Sequence, residues 1–179
     1  LDAALKNEYA VTDPGVALEC APSSADRAVS PERTAVLLRA LAVLPHGVEA
    51  MDTDFPGLVQ TSLNMGVVRL DGAGLHVTFS IRSSIASRKE MLAQRVRAAA
   101  ALAGGTVTER GVYPGWQYRR DSQFRETLLA AYKDLTGKDG VVEATHGGLE
   151  CGLLMEKLPG LDAVSLGPDL HDIHSVRER

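Results

Sequence analysis

Two alternating apolar runs, residues 58–70 and 75–81, flank Asp71-Gly72-Ala73-Gly74 and constrain this chain more than any other feature. Alternation with period two gives each run one face to bury, and a short glycine turn between them dictates an antiparallel hairpin. The register should point Val77, Phe79 and Ile81 toward packed helices. A helix is expected on the N-terminal side, where Ser30 supplies the cap, Pro31 the first helical position and Glu32 early acidity. It carries Val36, Leu37, Leu38 and Leu41 and stops at Pro45. A second, alanine-rich helix covers residues 87–103 and ends at Gly104-Gly105. Residues 16–21, entered through Asp13-Pro14-Gly15, and residues 106–112 read as the remaining strands. The order is βαββαβ, the ferredoxin-like arrangement.

The texture changes at Tyr113. Pro114-Gly115-Trp116 interrupts the pattern, an amphipathic helix follows over residues 122–135, and Gly137 closes it. Residues 140–145 and 161–166 are short and rich in β-branched side chains, with a helical stretch over residues 149–158 between them. Strand, helix, strand is the crossover of a parallel sheet. The fold class is therefore α+β, with a βαββαβ unit over residues 1–112 and a βαβ piece of an α/β domain over residues 113–179. A net charge of −4 argues against a nucleic-acid surface. No apolar run approaches the length of a membrane helix. Two cysteines, Cys20 and Cys151, are too few for a disulfide framework.

The chemistry-bearing residues cluster near the C-terminus. Ala144-Thr145-His146-Gly147-Gly148-Leu149-Glu150 joins an expected strand to an expected helix. Free amides at such a helix start attract anions or donate to a carbonyl. Glu150 suits a substrate amine or a nearby histidine, or equally serves only to favour the helix start by its charge. His146 alone reads as structural. His174, in a loop beyond the next strand and followed by Ser175, is the best metal-ligand candidate. His171, Asp169 and Asp172 read as surface decoration. Cys151 has no base beside it and reads as a small apolar group rather than a nucleophile. Asn64 is assigned no role.

Four motifs in order carry a family resemblance: residues 44–68 (LPHGVEAMDTDFPGLVQTSLNMGVV), 79–84 (FSIRSS), 111–122 (GVYPGWQYRRDS) and 146–153 (HGGLECGL), followed by VSLGP and His174-Ser175. This wording resembles the aminoacyl-histidine dipeptidases, also called cytosolic non-specific dipeptidases, di-zinc exopeptidases related to the carboxypeptidase G type. The resemblance implies hydrolysis of Xaa-His and other dipeptides in the cytoplasm by a metal-activated water. It implies a lid or dimerisation domain over residues 1–112 and the end of the zinc-peptidase catalytic domain over residues 113–179. A dipeptide substrate and a homodimer are implied partners. Among the residues, it implies that His174 ligates one of two zinc ions, that Arg82 holds the substrate carboxylate, and that Gly148 and Glu150 shape the pocket. A guanidinium suits the carboxylate because it can donate two parallel hydrogen bonds. The family's His-x-Asp and Glu-Glu pairs are absent from these residues. The chain is thus expected to be a C-terminal fragment, with no catalytic residue of its own and no activity alone. The alternative is a non-catalytic lid or dimerisation module that folds and associates without metal.

Overall fold

The computed structural model describes residues 1–167, 170–173 and 175–179. They form two compact units, Leu1–Ala35 and Val36–Arg179. The first unit holds α1 (Asp2–Glu8) and the start of α2 (Pro31–Val43). Asp2 ion-pairs with Lys6 one turn on at 2.8 Å, and its carboxylate also accepts from the Leu18 amide at 2.8 Å. Ser30 accepts from the Arg33 amide at 3.3 Å, the expected cap ahead of Pro31. Residues 16–21 are not a strand. β-propensity cannot make one without a partner edge, and here a side chain has taken the Leu18 amide.

The second unit is built on a three-stranded antiparallel sheet in the order β1-β2-β3, with β1 at Gly47–Met51, β2 at Val59–Asp71 and β3 at Gly74–Ser83. The expected hairpin is β2 and β3, paired from Thr61 opposite Ser83 to Asp71 opposite Gly74, with a bulge between Met65 and Val67. β1 was not expected from its sequence, yet it pairs antiparallel with the other edge of β2. Behind the sheet lies α3 (Ala86–Leu102), which buries Leu92, Val96 and Ala99 at helical spacing. Leu92 and Val96 join Leu63 in the core, and Leu44, Phe79 and Ile81 pack around them. Phe79 and Ile81 thus face the core as expected. Their strand alternates cleanly, with Thr78, Ser80 and Arg82 on the opposite, exposed side.

α4 (Gln123–Thr136) and α5 (Glu150–Lys157) complete the described elements, close to their expected bounds. Three other expected strands, residues 106–112, 140–145 and 161–166, carry no ladder. Residues 106–112 pair with neither outer edge of the sheet, that of β1 or that of β3, so it stays three-stranded among the described residues. The other two segments have no parallel neighbour among the described residues, so the βαβ crossover is not formed. Among the described residues the fold is α+β with one antiparallel sheet.

Candidate functional site

Period two sorts the hairpin into two faces. Thr61, Leu63, Ile81 and Ser83 turn toward α3, where the Thr61 and Ser83 hydroxyls bond at 2.9 Å in a buried position. The intervening residues turn the other way. Ser62 stands directly opposite Arg82, and Asn64 opposite Ser80, giving a polar face across both strands. Arg82 is exposed there. Among the described residues its side chain makes no hydrogen bond and no ion pair.

A close backbone approach brings the C-terminal stretch to this hairpin. A Cβ on Gly115 would lie 2.6 Å from both the Ser83 and Ser84 carbonyl oxygens, so only glycine lets the chain cross there. Lys89 of α3 donates to the Tyr113 carbonyl beside the crossing. Arg120 pairs with Asp54 at 2.8 Å. Ser122 accepts from the Arg125 amide at 3.1 Å, capping α4, and donates to Asp162 at 2.8 Å. The Ser122 hydroxyl and then the Phe124 amide, which donates at 3.1 Å, hold the Asp162 carboxyl below its ordinary range, with the Arg119 and Arg125 charges adding to this.

The glycine loop ahead of α5 rests on two anchors. Gly148 lies against the Tyr113 ring, where a Cβ would approach the ring carbons to 2.5 Å. The second anchor is His146, whose Nε2 lies 2.7 Å from Ser62 Oγ, a bond joining residues 84 apart in sequence. Its other ring nitrogen is buried and makes no hydrogen bond. Burial holds the His146 pKa below its ordinary value of 6.5, and the Arg82 charge adds to this, against a pull from the Val59 main chain the other way. The ring is therefore neutral at physiological pH. Glu150 is exposed in the first turn of α5. Burial raises the Tyr113 hydroxyl pKa, and the Glu150 carboxylate raises it further.

Arg82 thus belongs to the exposed face of the hairpin, and the loop bearing Gly148 and Glu150 reaches that face through His146. Neither Ser62 nor His146 was singled out for a role there. A serine on an alternating strand and a histidine before two glycines carry no signal of their pairing. His174 lies outside the described residues. Among the described residues, no three His, Cys, Asp or Glu side chains gather as a metal site, so nothing in the described geometry holds the zinc that the motifs imply.

No protein-family profile matches the chain. It is 33% identical over 176 residues to the cytosol non-specific dipeptidase of Escherichia coli (strain K12), a match covering 98% of this chain and 36% of that protein. Over that span the chain is a dipeptidase homologue. Its fold agrees: the crystal structure of aminoacylhistidine dipeptidase from Vibrio alginolyticus superposes with a TM-score of 0.84 at 30% identity, again over 98% of this chain and 36% of the other. The chain spans little more than a third of the length of these dipeptidases. No described helix is long and apolar enough to cross a membrane.

Proposed function

We propose that this chain serves a cytosolic dipeptidase as part of its lid and the end of its catalytic domain, divided near Val112, with Arg82 gripping the carboxylate of the dipeptide. One observation supports the reading most: an arginine without a partner among the described residues, on a polar sheet face, next to a glycine loop bound to the same face. A cation in that position is free to pair with a ligand's carboxylate. Gly148 would let the loop close against the Tyr113 ring and so shape the pocket wall, and Glu150 would face the substrate amine. The ferredoxin-like lid would be completed by pairing that residues 16–21 and 106–112 lack here. Two zinc ions belong to this reading, with His174 as one ligand and the others from a longer protein; dipeptides including Xaa-His are the substrates, and a homodimer is the assembly.

The test is the full-length protein assayed against a panel of free dipeptides, Xaa-His among them, with metal content measured in parallel. Turnover of dipeptides that is lost on chelation and restored by zinc is the expected result. Absence of turnover on every dipeptide by a zinc-loaded protein would remove the proposal.

A further inference from the structure

His146 has no part in the carboxylate grip described above, yet it is bound where that grip sits. Its ring reaches across 84 residues of sequence to a single hydroxyl, Ser62. Ser62 is the residue directly opposite Arg82, so its side chain leaves the sheet on the same side. Opposite positions on one face of an antiparallel pair lie within about 5 Å at Cβ, close enough for one small anion to meet both side chains. The Ser62 hydroxyl is half-buried, and its bond to the imidazole restricts the directions in which it can present a proton or a lone pair. The same bond fixes the position of Gly147 and Gly148.

We propose that His146 is a positioning residue for carboxylate recognition: through Ser62 it orients a hydroxyl beside the Arg82 guanidinium, so that the two together select substrates with a free C-terminal carboxylate. The inference rests on the reading of Arg82 given above and adds two residues to it. Arg82 is the charged group acting on His146 from the strands against it; Ser62 and the Val59 main chain, the other groups involved, are neutral. A carboxylate bound beside Arg82 would offset the Arg82 repulsion, which adds to burial in lowering the pKa of the ring. Substrate binding then favours protonation of His146, and by reciprocity protonation favours substrate.

The experiment compares free and C-terminally amidated dipeptides in the full-length protein carrying Ser62→Ala, His146→Asn, both together, His146→Gln or Arg82→Ala. Loss of one neutral hydrogen bond corresponds to roughly two- to twelvefold in affinity. Ser62→Ala and His146→Asn should each raise KM for free dipeptides by that factor, more than they lower kcat, with a much smaller change for amides. The double variant should be no worse than either single one, because both remove the same bond. His146→Gln, whose amide nitrogen reaches the place of Nε2, should recover most of the loss. In the unmodified protein, preference for free over amidated substrate should grow as pH falls below 6.5, and His146→Gln should abolish that growth. Equal losses on both substrate classes, while Arg82→Ala still discriminates between them, would overturn the inference and leave the reading of Arg82 standing. If Arg82→Ala does not discriminate either, both fall. Should the variants fail to fold, a pH-independent preference in the unmodified protein is enough to overturn the inference.

Discussion

At the scale of single residues, His146 ties stability to pH. Its folded pKa lies below the ordinary 6.5, because burial and Arg82 both disfavour the charged ring. The unfolded chain therefore binds the proton more readily over the window just below 6.5. The contribution of the neutral ring is complete above that value and is lost as pH falls through it toward the folded pKa. The denaturant midpoint should drop between about pH 7.5 and about pH 5.5, a range in which ordinary carboxylates stay ionised. His146→Gln should flatten that drop, and an unchanged slope in the variant would contradict the assignment. Legibility at this scale was uneven. Arg82 and the Gly148–Glu150 loop were singled out because contiguous motifs carry them, and the structure puts the arginine on the hairpin face that the loop reaches through His146. The Ser62–His146 bond could not be found that way, since it depends on strand register and on the chain crossing at Gly115, neither of which leaves a spacing in the sequence.

At the scale of elements, local signals served well where an element supplies its own partner. The β2–β3 hairpin, α3, α4 and α5 each lie close to where the apolar period and the caps put them. A hairpin contains both of its strands, and a helix satisfies its own backbone. The segments at 16–21, 106–112, 140–145 and 161–166 have strand-like composition but no ladder, because a strand is defined by a neighbour that composition does not provide. β1 is the reverse case, five residues with little alternation that pair because β2 offers a free edge. The core is equally positional. Leu92 is fully buried between α3 and the sheet, whereas Leu102 at the end of the same helix is 87% exposed. Leu92→Ala should cost about 2–5 kcal/mol of stability. Leu102→Ala should cost under about 0.5 kcal/mol. Comparable losses for the two in urea unfolding would contradict this packing.

For the whole molecule, the central fact is that a chain matching 36% of a dipeptidase carries an unspent cation on a built polar face. The face exists because the hairpin alternates, and the loop meets it because Gly115 permits the crossing and His146 reaches Ser62. No metal cluster forms among the described residues. On the proposed function, what Arg82 and its polar face would contribute is substrate selection, and selection is what should be measured. The most direct measurement is kcat/KM of the full-length protein and its Arg82→Ala variant on one dipeptide in its free and amidated forms. Arg82 is exposed here, so its contact with a carboxylate compares with an ordinary charged hydrogen bond, about 1.5–3 kcal/mol, rather than with a deeply buried pair. The free dipeptide should lose roughly ten- to hundredfold in kcat/KM and the amide much less, with metal content unchanged. Equal losses on the two forms would show that Arg82 supports the fold and does not read the carboxylate.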